Sequence, residues 1–365
     1  MEKITVTTPL LPPLEELTPY LEDIWQRKWL TNNGHYHQQL EKELCEYLGV
    51  KYISLFSNGT LALITALQAL EIEGEVITTP YSFVATSHAI MLNGSVPVFV
   101  DVEPQTYNLD PAKIEAAITD KTTAIMPVHV YGNPCAHEEI KRIADKHNLK
   151  IIYDAAHAFG VKKNGESVLN WGDLSILSFH ATKAYSTIEG GAVICHTAEM
   201  KQKLDKLKNF GYDSEVEISM LGTNAKMNEL QAAFGLATLK HIDSAIKKRR
   251  VVAEKYRKII DSIDGLSYII ADSDVESNNS YFPLIVDEAV YGLSRDALYN
   301  KLKDNNIIAR RYFYPLITDF DFYQKRLSML AYDLHIAKKI SENVICLPLH
   351  HELEVNQIEY ISKCL

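Results

Sequence analysis

The strongest constraint on the fold is a rhythm. Through the first two thirds of the chain, short β-branched and apolar runs alternate with amphipathic stretches of helical period. Segments 51–56, 75–79, 97–101, 123–128, 150–154, 173–179 and 191–196 read as strands, and 61–70, 82–92, 111–118 and 137–147 as helices between them. Such strands are apolar on both faces and need covering on both sides, which predicts an α/β domain built on a mostly parallel sheet. Near Asn228 the texture changes to one long helical segment through Leu239 and on to Tyr256. Strand-like pieces at 267–270 and 281–286, a helix at 294–304 and a strand signal at 307–312 follow. This mixture predicts a smaller α+β domain, with residues 1–245 forming the large domain and 246–365 the small one.

A chain of 365 residues has room for two such cores. Its formal charge of −10 argues against nucleic acid or anionic lipid as a partner, since both reward clustered cations. The run Lys247-Lys248-Arg249-Arg250 has no interleaved aromatics and reads as a solvated helix face. Five cysteines without a C-x-x-C spacing fit reduced thiols and a cytoplasmic setting. The first residues lack the apolar core of a signal peptide, and no run approaches the ~18 apolar residues of a membrane span. Neither G-x-G-x-x-G nor a Walker loop is present, and the 13 histidines show no metal-ligand spacing. No metal is expected, and some other small-molecule cofactor has to be considered.

Four features at predicted strand ends carry chemistry. Asp154 closes the apolar run Ile151-Ile152-Tyr153 and precedes Ala155, Ala156 and His157. Open α/β sheets collect ligands at this end of their strands, though an acid there equally suits a helix cap. In the strand ending at Phe179, the period of two puts Ser178 and His180 on one face, with Lys183 on the turn beyond. A lysine between two buried strands has a lowered pKa suited to nucleophilic work; the alternative is a lysine turned out of a loop. Ser57-Asn58-Gly59-Thr60 offers backbone N–H groups and a helix N-terminus to an anion, or a simple N-cap. Phe83, after the strand ending at Thr79, either covers a flat ligand or joins the core. A phosphate cradle, an aromatic cover, a carboxylate and a lysine together match the needs of pyridoxal 5′-phosphate.

At these residues the chain resembles the DegT/StrS family of nucleotide-sugar aminotransferases. The resemblance runs over nearly the whole length, through Trp29-Leu30-Thr31-Asn32-Asn33-Gly34, Gly59-Thr60-Leu61-Ala62-Leu63, Thr79-Pro80-Tyr81-Ser82-Phe83-Val84-Ala85-Thr86, Asp154-Ala155-Ala156-His157 and Ser178-Phe179-His180-Ala181-Thr182-Lys183. It implies the type I aspartate aminotransferase fold and a pyridoxal phosphate cofactor. It further implies Lys183 as the Schiff-base lysine, Asp154 as partner of the pyridine nitrogen and His157 near the phenolic oxygen. Phe83 would stack on the ring, and Gly59, Thr60 and Ser178 would hold the phosphate. Asn224 would complete the phosphate site of a second subunit, which implies a homodimer. The implied reaction moves the amino group of L-glutamate to a nucleotide-linked keto sugar. Within the family, Thr223-Asn224-Ala225-Lys226-Met227-Asn228-Glu229 and the segment at Leu30 are closest to enzymes acting on C4 of dTDP-4-keto-6-deoxyglucose.

Candidates for the sugar-nucleotide pocket are Asn33, His35, Tyr185, Arg310, Tyr312, Phe313 and Tyr314, although 310–315 also reads as a plain amphipathic edge strand. Two departures from the family pattern stand out: Ala225-Lys226 where an aromatic or glycine and an arginine are common, and Ile188 in a turn that often reads T-G-E-G-G. Three other readings compete. A branch aminating 3-keto sugars shares these motifs. A dehydrating branch with histidine in place of the lysine is opposed by Lys183. A non-catalytic cofactor-binding regulator would be expected to carry a DNA-reading module or basic face, and neither is visible.

Overall fold

A seven-stranded sheet organises the first part of the chain in the computed structural model, which describes residues 2–327 and 333–365. Its strands are β1 (Tyr52–Phe56), β2 (Glu75–Thr78), β3 (Val96–Phe99), β4 (Thr122–Met126), β5 (Lys150–Asp154), β6 (Leu174–Ser178) and β7 (Gly191–Cys195), in the spatial order β1-β7-β6-β5-β4-β2-β3. Neighbours from β3 to β6 pair in parallel, whereas β7 pairs antiparallel with both β6 and β1. All seven predicted strands are therefore present, each within a residue or two of its expected bounds. One runs against the others.

Both faces of the sheet are buried. One face packs on α2 (His35–Leu48) and α7 (Glu229–Leu239) through Leu40, Leu44, Ile194 and Leu236. The other packs on α3 (Gly59–Ala69) and α4 (Ala85–Leu92) through Ala62, Ala66, Val193 and Ile90. The remaining large helices are α1 (Leu14–Arg27), α5 (His137–His147) and α6 (Ala198–Leu207). Helix α4 starts at Ala85, three residues later than the pattern predicts, so that Phe83 stays outside both helix and core.

The long helix expected after Asn228 is two helices. Asn228 opens α7 with a capping box to Gln231, and the chain bends at Lys240-His241 before α8 (Ile242–Ile260). Neither glycine nor proline marks the bend, so periodicity alone could not reveal it. Ile242 and Ala245 at the start of α8 pack into the core shared with α2. Val252, Ala253, Tyr256 and Ile260 pack into a second core, around the sheet β8 (Leu266–Tyr268), β9 (Phe282–Val286) and β10 (Val344–Leu347). Helices α9 (Arg295–Asp304), α10 (His335–Asn343) and α11 (Val355–Lys363) are the longer helices that follow in this part.

Two expectations need correcting here. Arg249 is not solvated: it is 1% exposed and donates through Nη1 to the carbonyls of Leu349 and Ser280. Its position on the inward stripe of α8 overrides the charge of the run around it. The strand signal at 307–312 reduces to isolated bridges, Ile4 with Ile307 and Arg310 with Cys346, because the chain then turns at Arg311–Tyr314.

Candidate active site

The carboxyl ends of β1, β5 and β6 open into one cavity of about 710 Å3. Gly59, Thr60, Phe83, Asp154, His157, Ser178 and Lys183 all line it. These residues come from separate stretches of sequence, and what unites them is the strand-end position each was read to hold. Lys183 sits in the turn after β6, its own N–H donating to the His180 carbonyl at 2.9 Å.

Asp154 is buried, 4% exposed, with a donor for each carboxylate oxygen: Thr86 Oγ1 to Oδ2 at 2.7 Å and the Ala156 N–H to Oδ1 at 3.1 Å. Ser82 stands behind Thr86, hydroxyl to hydroxyl at 2.9 Å. Burial raises the pKa of Asp154, opposed by the Thr86 hydrogen bond, the Ala156 N–H and the nearby Lys183 charge. Burial likewise pulls Lys183 down to about 8 against the attraction of Asp154. Desolvation thus outweighs the attraction of each group for the other.

His157 is buried and held well below the usual imidazole range, first by desolvation and then by Lys183. Its Nδ1 accepts the Tyr131 N–H at 3.2 Å, so in the neutral ring Nε2 carries the proton. Its carbonyl accepts from Asn278 Nδ2 at 2.9 Å and Ser280 Oγ at 3.0 Å, tying the wall of the cavity to the segment that leads into β9.

At the other end, α3 begins at Gly59. The Asn58 side chain caps Leu61 N–H and the Asn58 carbonyl takes Ala62 N–H, so the N–H groups of Gly59 and Thr60 have no partner among the described residues. A Cβ at position 59 would lie 3.0 Å from the Ser178 Cβ, which explains the glycine: backbone and hydroxyl converge on one small space. Free N–H groups at a helix N-terminus beside a hydroxyl suit a phosphate. With a partly neutral lysine, an ionisable acid and a 60%-exposed Phe83 around the same cavity, the residues present fit pyridoxal phosphate.

The remaining candidates divide. Tyr312 and Phe313 line the cavity, as does Tyr281, which sequence reading missed. Tyr185 does not: it is fully buried in the core, stacked 4.5 Å from Phe159. The tight turn after Lys183 swings it inward, a reversal that residue type cannot signal. Tyr314 lies between Arg295 and Arg311, whose guanidinium carbons are 4.6 and 5.3 Å from its ring. Asn33, His35 and Arg310 are exposed and lie outside this chain's cavity. Asn224 is also exposed outside it, bridged to Asn209. Thr86 was missed as well, since nothing in a sequence marks a hydroxyl that reaches an acid on another element.

Residues 14–365 match the model of the DegT/DnrJ/EryC1/StrS aminotransferase family. The chain belongs to this family. A relative from Shigella dysenteriae, dTDP-4-amino-4,6-dideoxy-D-glucose transaminase, is 58% identical over 362 residues, 99% of this chain and 98% of that protein. The crystal structure of DesI in the presence of its TDP-sugar product is similar with a TM-score of 0.95 at 32% identity, covering 100% of this chain and 92% of that one. NtdA from Bacillus subtilis with bound cofactor PMP is similar with a TM-score of 0.86 at 28% identity, covering 96% and 82%. The family member described here is a pyridoxal phosphate-dependent sugar aminotransferase with the type I fold. No described helix is long and apolar enough to cross a membrane.

Proposed function

We propose that this chain transfers the amino group of L-glutamate to C4 of dTDP-4-keto-6-deoxy-D-glucose, giving the 4-amino-4,6-dideoxy sugar nucleotide and 2-oxoglutarate. The observation that carries the reading is the cavity in which a partly neutral Lys183 faces the same space as buried Asp154. The likeness to the Shigella transaminase supports the choice of sugar.

Pyridoxal phosphate, when bound, supplies an aldehyde to carry the amino group and a ring to accept the electrons of a broken C–H bond. Lys183 would hold the cofactor until the amine of glutamate displaces it; the freed Nζ would then move the proton from the α-carbon of glutamate to the cofactor and, in the other half of the cycle, carry one from the cofactor to C4 of the sugar. Asp154 keeps a negative charge against the pyridine nitrogen, and its two hydrogen bonds fix its orientation. His157 presents its Nε2 proton to the phenolic oxygen. Gly59 and Thr60 N–H groups with Ser178 Oγ hold the phosphate, and Phe83 covers the ring. Asn224 acts in the cavity of a second copy; its exposure, and that of Trp25, Trp29, Phe210, Val216 and Leu221, supports a homodimer. We place the enzyme in the cytoplasm.

The test is product analysis. Purified enzyme incubated with glutamate and a panel of 4-keto and 3-keto sugar nucleotides yields, by mass spectrometry and NMR, an amine at C4. An amine at C3 overturns the assignment. Lys183→Ala abolishes turnover with an unchanged circular dichroism spectrum; wild-type rates in that variant would remove Lys183 from its role.

A further inference from the structure

Two titratable side chains on the cavity wall have no part in the chemistry above. His180 and Glu189 line the same cavity as Lys183, and Nε2 of one lies 3.6 Å from Oε1 of the other, too far for a good hydrogen bond. Their side chains are 44% and 54% exposed, so each meets both the cavity and the solvent that enters it.

Both are held from behind. The Thr182 N–H donates to His180 Nδ1 at 3.2 Å, and the Thr182 hydroxyl lies 2.8 Å from the same nitrogen. An accepting Nδ1 leaves the neutral ring's proton on Nε2, the atom turned toward Glu189. The carbonyl of Glu189 is pinned by Thr187 Oγ1–H at 2.7 Å and Gln231 Nε2–H at 2.6 Å. Just before it, Ile188 is held at φ 70°, a left-handed conformation that a β-branched residue adopts only when its surroundings impose it. The backbone that presents Glu189 is therefore fixed. Its carboxylate has no hydrogen-bond donor among the described residues, and His180 Nε2 has no hydrogen-bond acceptor among them.

An acceptor and a donor a few ångströms apart, carried on backbone that is held, match the geometry of two neighbouring hydroxyls on a pyranose ring. The carboxylate accepts from one hydroxyl while Nε2–H donates to the oxygen of the next. A diphosphate does not suit this place, because its charge would meet the Glu189 carboxylate. The His180 carbonyl also receives the Lys183 N–H, so His180 and the lysine belong to one turn, while Glu189 lines the same cavity from the loop before β7.

Resting on the transaminase reading, we propose that His180 and Glu189 form the subsite that grips hydroxyls of the keto-sugar ring and sets its ketone before Lys183. The pair is a specificity device; Lys183 remains the group that moves the proton.

The experiment compares wild type with Glu189→Gln, Glu189→Ala and His180→Ala as cofactor-loaded enzymes. Calorimetric titration uses two probes, dTDP and dTDP-glucose, which differ by the sugar alone. Wild type binds dTDP-glucose more tightly than dTDP, and each variant loses that increment while its affinity for dTDP itself is kept. In steady state, KM for the keto-sugar nucleotide rises about tenfold or more, as expected when a hydrogen bond to a charged group is lost, while KM for glutamate stays within twofold. Glu189→Gln, which keeps one acceptor oxygen, is milder than Glu189→Ala. Variants that keep the sugar increment, or that weaken glutamate and sugar equally, overturn the proposal. A wild type that reacts with glutamate but aminates no sugar nucleotide instead overturns the function proposed above, and the two-probe titration still decides the role of the pair.

Discussion

Replacing Lys183 with methionine should make the cofactor-free protein more stable near neutral pH. In the native state this amine is held at about 8 by burial, against 10.5 for a free lysine. The difference corresponds to ~3.4 kcal/mol at ~1.36 kcal/mol per unit. Because the folded value lies below the unfolded one, folding must shed a proton or desolvate a charge. The cost is fully present below pH ~8 and is relieved as pH rises toward ~10.5. Water in the open cavity screens part of it, and Asp154 loses a favourable neighbour in the variant. We therefore expect a gain of ~1–2 kcal/mol at pH 7, or ~1–3 °C in Tm for a chain of this size. The same shift leaves about 9% of the amine neutral at pH 7, about 300-fold more than for an ordinary lysine, which is the functional return on the instability. Thermal unfolding of both proteins, freed of cofactor, from pH 6.5 to 10.5 measures the gap. A variant less stable than wild type, or a gap that does not change with pH, refutes the argument.

Other outcomes follow from the same geometry. Thr86→Val removes the hydroxyl donor to Asp154 and should weaken cofactor binding about tenfold or more, with Thr86→Ser restoring most of it; spectroscopic titration of apoprotein with pyridoxal phosphate reads both. Equal affinities in the three proteins would remove Thr86 from the site. Glu41 is enclosed by His37, Lys201 and Lys208. Burial alone would raise its pKa, but these neighbours win and hold it well below the usual carboxylate range. Its stabilisation is present above pH ~4.5 and is lost as pH falls below that. Glu41→Gln should accordingly lower Tm at pH 7 and lose less of it than wild type between pH 5 and 3.

Much of this architecture was legible because strand ends leave a trace in sequence. Asp154, Ser178 and Gly59 each follow an apolar run whose length and β-branching mark a buried strand, and topology then forces such ends to one edge of the sheet. Lys183 was readable for the same reason. Direction beyond the strand end was not: Tyr185 looks like a ligand contact and is core, while Phe83 looks as much like core and is exposed. Interactions between distant elements were equally silent. The Thr86 hydroxyl reaches Asp154, the Tyr131 N–H sets the tautomer of His157, and Asn278 holds the His157 carbonyl. Each depends on a packing that no local pattern encodes. Arg249 shows the converse, a charge placed inside by the helix stripe on which it falls.

Helix α8 is shared between two cores. Its first turns are embedded beside the seven-stranded sheet, its last turns beside the three-stranded one, and Arg249 between them clasps Leu349 and Ser280. One continuous helix thus supplies side chains to both cores. Severing that helix would strip both halves at once, and denaturant should melt them together in a single step.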